Sequence, residues 1–135
     1  MKIYYAASIF GAAGDANFNF EVIRHLKNYG IVLSELLFAP DYKSNEKLDA
    51  VGIHDRDLNW VGEADRIVAD VSAPSLGVGY ELAHAKFLNK PTLCLWRVQE
   101  GKKLSAMIDG SPRLSVVRFS ETHEALRAID YFFRR

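Results

Sequence analysis

The fold class this sequence predicts is α/β: an open five-stranded parallel sheet with helices on both faces. Three observations predict it. Short apolar, β-rich runs alternate with stretches of helical period. The runs are mostly apolar throughout, as strands buried on both faces tend to be. No repeat, low-complexity tract or linker interrupts the 135 residues, which match the size of one ordinary domain, so a single domain over 1–135 is expected.

The expected strands are Lys2–Ala7, Ile31–Leu36, Arg66–Val71, Thr92–Trp96 and Ser115–Phe119. Between the first two, Phe18, Val22, Leu26 and Tyr29 fall on one helical face that Gly30 ends. Residues 38–51 are polar, contain Pro40 and have no clear period, which predicts a long loop, followed by a short helix over His54–Val61. After the third strand, Ser72-Ala73-Pro74 reads as a turn and Gly77–Leu88 as a helix with Val78, Leu82 and Ala85 inward. Ser120 is the expected cap of a last helix through Phe133.

Seventeen basic residues balance seventeen acidic ones, and the pI is near 6.9. Nothing electrostatic therefore draws the chain to a nucleic acid polymer or an anionic membrane. No run approaches the ~20 apolar residues of a membrane span, and the start reads as a strand rather than a secretory signal. The single cysteine, Cys94, lies within an apolar strand, so no intramolecular disulfide forms, and a buried, reduced thiol in a cytoplasmic protein is expected. The four histidines show neither HExxH nor cysteine-paired spacing, so neither metal nor cofactor is expected. With no GxSxG elbow and Cys94 inside a strand, serine and cysteine nucleophiles are disfavoured. Lys43, Lys47, Lys102 and Lys103 read as solvated loop faces.

Open parallel sheets bind ligands beyond the carboxyl ends of their strands, where the strand order reverses. That directs attention to the loops after strands one, three and four. Ser75-Leu-Gly-Val-Gly-Tyr-Glu81 leaves a strand and opens a helix, so its N–H groups can receive an anion. Gly77 and Gly79 remove side chains where a sugar or phosphate approaches, and Ser75 adds a hydroxyl. Glu81 reads two ways: as a complement to the helix dipole, or as a carboxylate that the dipole keeps charged and that attacks carbon. Asp55 reads as a cap. Asp57 is a second carboxylate that could act on a leaving group while Glu81 attacks, although sequence alone does not bring the two together. Ser8 and Ser105 are capping or surface serines, or with Ser75 a set of phosphate donors. One of the adjacent Tyr4 and Tyr5 could orient Glu81.

Ile3-Tyr-Tyr-Ala-Ala-Ser8, His54-x-x-Asp57-Leu-x-Trp60, Pro74-Ser-Leu-Gly-Val-Gly-Tyr-Glu81-Leu and Leu104-Ser-Ala-Met107-Ile together resemble the nucleoside 2-deoxyribosyltransferase superfamily. Within it the likeness is to the 2′-deoxynucleoside 5′-monophosphate N-hydrolases. The resemblance implies a flavodoxin-like (Rossmann-like) fold, a homodimer with composite active sites, and cleavage of the N-glycosidic bond of a deoxynucleotide, a small-molecule substrate. It places Glu81 as the nucleophile at C1′, Asp57 as the acid assisting departure of the base, and Tyr4 as the residue positioning Glu81. Ser8, Ser75 and Ser105 become phosphate ligands, with Ser105 and Met107 supplied by the neighbouring subunit.

One position departs from the pattern. Where these hydrolases carry an arginine two residues after the first serine, this chain has Phe10. An aromatic there is similar to the transferases, where it can stack on the base. Transferases, however, tend to carry an acidic residue in place of Ser75 and an asparagine in place of Ser105, and a serine hydroxyl suits a phosphate better. Arg24, Arg97 or helix N–H groups are the expected substitutes for the missing guanidinium. A base-exchanging transferase and a non-catalytic nucleotide-binding module are the alternatives. Residues 9–15 and 38–51 are where base preference is expected to reside.

Overall fold

The structure is a computed structural model that describes residues 1–9 and 15–135. Phe10, and with it the expected stacking position, lies outside the described residues.

The elements are β1 (Lys2–Ala6), α1 (Ala16–Leu26), β2 (Ile31–Val32), α2 (Tyr42–Asn45), α3 (Ala50–Glu63), β3 (Arg66–Asp70), α4 (Leu76–Phe87), β4 (Thr92–Arg97), α5 (Ala106–Asp109), β5 (Ser115–Phe119) and α6 (Thr122–Arg134). The five strands form one all-parallel sheet in the order β2-β1-β3-β4-β5, with Tyr4 opposite Ile67 and Asp70 opposite Leu95. The order reverses between β1 and β3, so the crevice beyond the ends of those two strands is the place where such sheets receive ligands.

Successive residues of a strand point to opposite faces, and this divides the core in two. Ile3, Tyr5 and Val68 pack with Phe18, Val22 and Leu26 of α1 and Ile129 and Phe132 of α6. Tyr4, Ala6, Ile67 and Ala69 pack with Val61 of α3 and Val78, Leu82 and Ala85 of α4. Cys94 is buried on this second side, and burial pushes its thiol up to about 12.

Five expectations change. The second strand is two residues long, because Ser34 replaces the ladder: its hydroxyl accepts from Tyr5 N (3.0 Å) and donates to Tyr5 O (2.7 Å). Gly30 does not cap α1, which ends at Leu26; a Cβ there would run into the Met1 carbonyl, which accepts from the Ile31 amide beside it. The expected loop over 38–51 holds α2, preceded by a 3-10 turn over Glu35–Phe38, and α3 begins at Ala50. Its cap is Asp49, which accepts from Gly52 N, whereas Asp55 is exposed beside His54. Ser120 does not cap α6; Glu121 does, in a capping box with Glu124.

Candidate active site

Tyr4 and Tyr5 are both buried, and the pleat separates their roles. The Tyr5 hydroxyl donates to Asn19 Oδ1 at 2.7 Å on the α1 side. The Tyr4 hydroxyl lies on the α4 side against the Glu81 carboxylate, to which it hydrogen-bonds. Of the two tyrosines, Tyr4 is the one placed to orient Glu81. Burial, then the negative charge of Glu81 and the bond to it, hold its phenol well above the usual tyrosine range.

Glu81 is the sixth residue of α4, beyond the first turn where the dipole acts most strongly. Its Oε2 is enclosed and has no hydrogen-bond partner. Burial pushes its carboxyl up to about 7; the Tyr4 hydroxyl opposes that rise and the charge of Asp57 adds to it. Burial therefore works against the charging effect expected of the dipole.

Asp57, on α3, bears on the same centre, since its charge raises both Tyr4 and Glu81. Burial raises its own carboxyl, opposed by Arg56. The two carboxylates that sequence could not join are therefore electrostatic neighbours. Arg56 was not foreseen. Its Nε donates to Asp57 Oδ1 at 2.9 Å, and its terminal nitrogens donate to Glu46 Oε2 at 2.7 Å and to the Tyr42 hydroxyl at 3.4 Å. No periodicity links residues 46 and 56, so no sequence signal marks this cluster.

Ser75 caps α4 by accepting from Val78 N at 3.2 Å, and Ser105 caps α5 by accepting from Met107 N at 3.3 Å. Capping uses a lone pair and leaves the hydroxyl proton to donate, so cap and phosphate ligand are compatible roles. A Cβ on Gly77 would lie 3.9 Å from Ser75 Oγ and 4.0 Å from Glu81 Oε1, which puts the missing side chain in the space between hydroxyl and carboxylate. Gly79 has open space beside it.

Two cavities are lined by described residues of the neighbouring elements. One of about 320 Å³ is lined by Ser8, Asn19, Phe38, Pro40, Tyr42 and Lys43. Another of about 780 Å³ is bordered by Ser75, Gly79, Ser105 and Met107, with a mostly apolar wall. Neither has Tyr4, Asp57 or Glu81 in its wall. The structure thus brings Tyr4, Asp57 and Glu81 together, and Ser75 with Gly77, while Ser8 borders one cavity and Ser105 and Met107 the other. Met107 is 84% exposed. Lys47, Lys102 and Lys103 are exposed as expected, and Lys43, also exposed, edges the smaller cavity.

Of the substitute cations, Arg24 is in the last turn of α1, at the end of the sheet away from the crevice, and is ruled out by position. Arg97 ends β4 on the crevice side; its guanidinium lies over Phe18 and Phe119 and 3.9 Å from Asp15. Among the described residues no group of His, Cys, Asp and Glu could hold a metal, and no helix is long and apolar enough to cross a membrane.

The architecture is shared with known proteins. The solution structure of BlsM superposes with a TM-score of 0.75 at 18% identity, covering 98% of this chain and 89% of that one. A CMP N-glycosidase of Clostridium botulinum, BcmB, superposes at 0.70 and 17% identity, covering 96% and 99%. No protein-family model matches the chain. In sequence it is 46% identical over 137 aligned positions to a protein of Trichoplax adhaerens provisionally named 2′-deoxynucleoside 5′-phosphate N-hydrolase 1, covering 98% of this chain and 92% of the relative. It is 44% identical to the 5-hydroxymethyl-dUMP N-hydrolase of Rattus norvegicus, covering 82% and 69%. A flavodoxin-like sheet with two neighbouring carboxylates on its α3 and α4 side, in a chain with these relatives, defines an enzyme of the N-glycosidase class. Within that class the chain belongs to the 2′-deoxynucleoside 5′-phosphate N-hydrolase family.

Proposed function

We propose that this enzyme hydrolyses 2′-deoxynucleoside 5′-monophosphates to free base and 2-deoxyribose 5-phosphate through an ester on Glu81, within one domain spanning the chain. The observation that carries the proposal is the enclosed, unpartnered Oε2 of Glu81, beside Tyr4 and within the field of Asp57. A desolvated carboxylate stabilises the positive charge that develops at C1′ and then bonds to it. As the C1′–N bond breaks, its electron pair leaves with the base, which takes the proton of Asp57. Water then attacks C1′ and gives a proton back to Asp57, releasing the sugar phosphate and regenerating Glu81. Tyr4 holds the nucleophile in line.

The 5′-phosphate is received by the Ser8 and Ser75 hydroxyls and the backbone at Gly77 and Gly79, with Arg97 as the crevice-side cation. Ser105 and Met107 act from a second copy of the chain. Support for that homodimer is the outer stripe of α4, where Leu76 and Phe87 are 96% and 81% exposed with Tyr80 exposed between them, beside the apolar wall of the larger cavity. A cytoplasmic location accords with the lone buried thiol.

Purified protein incubated with a panel of deoxynucleotides is expected to release free base, Glu81→Ala is expected to abolish release, and mass spectrometry of quenched turnover is expected to find deoxyribose phosphate on Glu81. Nucleotide binding without base release in the parent protein would overturn this reading. Capture of the sugar by an added acceptor base in preference to water would reassign the enzyme as a transferase.

A further inference from the structure

We infer that Arg56 is a positioning residue for the acid: it clamps one oxygen of Asp57 and is itself anchored by Glu46 and by Tyr42, which lines the smaller cavity. This rests on the reading of Asp57 as the proton donor. Arg56 adjoins Asp57 in the chain, yet its guanidinium serves three side chains at once. Nε holds Asp57 Oδ1 at 2.9 Å, one terminal nitrogen holds Glu46 Oε2 at 2.7 Å, and the other reaches the Tyr42 hydroxyl at 3.4 Å. The plane also lies 5.0 Å from the centroid of the Trp60 ring, one turn along α3. The side chains of Arg56, Asp57 and Glu46 are 18%, 16% and 12% exposed. A planar fork bonded in two directions and held near an aromatic face has little rotational freedom left.

Two consequences follow for the acid. With Oδ1 taken by a donor, Oδ2 is the oxygen that carries the proton, so the clamp selects the face of Asp57 that delivers it. A guanidinium against the carboxylate also makes Asp57 a stronger acid, while Glu46, sharing the same guanidinium, limits how far the proton is weakened. The charged and titratable groups facing Asp57 are Arg56 on its own helix, Glu46 from the segment after α2, Glu81 from α4 and Tyr4 from β1. Glu46 is held in turn by the Tyr42 hydroxyl, which donates to the same Oε2 at 2.6 Å, and Tyr42 lines the smaller cavity with Ser8. A ligand that displaces Tyr42 therefore shifts the clamp, which ties occupation of that cavity to the orientation of the acid.

The test compares Arg56→Gln, Arg56→Lys and Glu46→Gln in full-length protein, with folding checked by circular dichroism and thermal unfolding. Arg56→Gln is expected to lower kcat about 10- to 100-fold with little change in KM, the size of loss that follows a misplaced catalytic group. Its alkaline limb in the kcat profile should move to higher pH, since removing the guanidinium holds the proton on Asp57 more tightly. Glu46→Gln should move that limb the opposite way, because Asp57 then has Arg56 to itself. Arg56→Lys, which keeps charge without the fork, should restore the limb but not kcat. A deoxyribose 5-phosphate bearing a 4-nitrophenolate leaving group, which needs no protonation, should turn over at similar rates in all three variants and the parent.

A merely structural role would lower both substrates alike and leave the limb in place. That result, or wild-type kcat with an unmoved limb in a folded Arg56→Gln, overturns the inference. Asp57→Asn separates it from the reading beneath: if that variant is crippled while Arg56→Gln is silent, only the clamp fails, and if Asp57→Asn has wild-type kcat on nucleotide, both fail.

Discussion

The two faces of the sheet are built from adjacent residues of the same strands and have been put to opposite uses. On the α1 and α6 side, Tyr5 is fully buried and its hydroxyl is satisfied by Asn19, itself buried. On the α3 and α4 side, Tyr4 is equally buried, but its partner is a carboxylate with one oxygen left unsatisfied and a second carboxylate close by. On one face the tyrosine hydroxyl meets a neutral amide, and on the other it meets a carboxylate whose second oxygen is enclosed without a partner. An unpaired buried acid costs stability, and in the proposed mechanism the same desolvation makes Glu81 reactive towards a developing cation. The difference lies in the helices, since β1 supplies a tyrosine to each.

The largest effect is expected at Glu81: Glu81→Ala should lower kcat on the order of 10⁴-fold or more, as removal of a covalent nucleophile does, read from base release under saturating nucleotide. Asp57→Asn should cost about 10²–10⁴ in kcat, the range of a well-placed general acid. The same variant should lose far less on a substrate whose leaving group departs unprotonated.

Stability offers a second axis. The folded protein binds the Glu81 proton more tightly than the unfolded chain does. Stability from this group is therefore present below the ordinary glutamate range, near 4.5, and is lost as pH rises through about 7. Glu81→Gln should consequently be more stable than the parent by up to about 3 kcal/mol at pH 8, with the gain vanishing near pH 4, as measured by urea unfolding at both values. For the same reason kcat/KM of the parent should fall on the acid side of its profile, as Glu81 takes up its proton in the free enzyme. Because the two carboxylates interact, the limbs of the profile belong to the pair, with Glu81 ionised and Asp57 protonated in the productive form. A profile flat between pH 5 and 8 would remove Glu81 from the chemistry.

The two tyrosines give the smallest and cleanest contrast. Tyr4→Phe should lower kcat about 10-fold and push the acid limb to higher pH, since the hydrogen bond that favours the charged Glu81 is lost. Tyr5→Phe should leave the profile untouched and cost about 1–2 kcal/mol, because Asn19 loses its partner in the core. Equal kinetic effects from both would dissolve the distinction between the faces.

The layers of the fold were readable because a two-residue and a 3.6-residue period are local properties, and four of the five strands stand within a residue or so of their expected bounds. The second strand was not, since Ser34 stops it by bonding to a backbone that is its neighbour only after folding. The cap of α3 was misplaced for a related reason: Asp49 and Asp55 are equivalent in composition, and which one meets the free amides depends on where the helix is pinned.

For the site, the sequence by itself determined the ingredients and the end of the sheet at which they gather. Ser75, Gly77, Gly79 and Glu81 lie on one strand-to-helix junction, and chain order alone carries such a junction to the ligand-binding edge. Tertiary structure alone decided the rest. It chose Tyr4 over Tyr5, brought Asp57 within the field of Glu81, hung Arg56 between Asp57 and Glu46, and stripped Glu81 of enough water to raise its carboxyl. The physical reason is that desolvation and charge coupling depend on distances between elements remote in sequence, and no spacing along the chain encodes those distances.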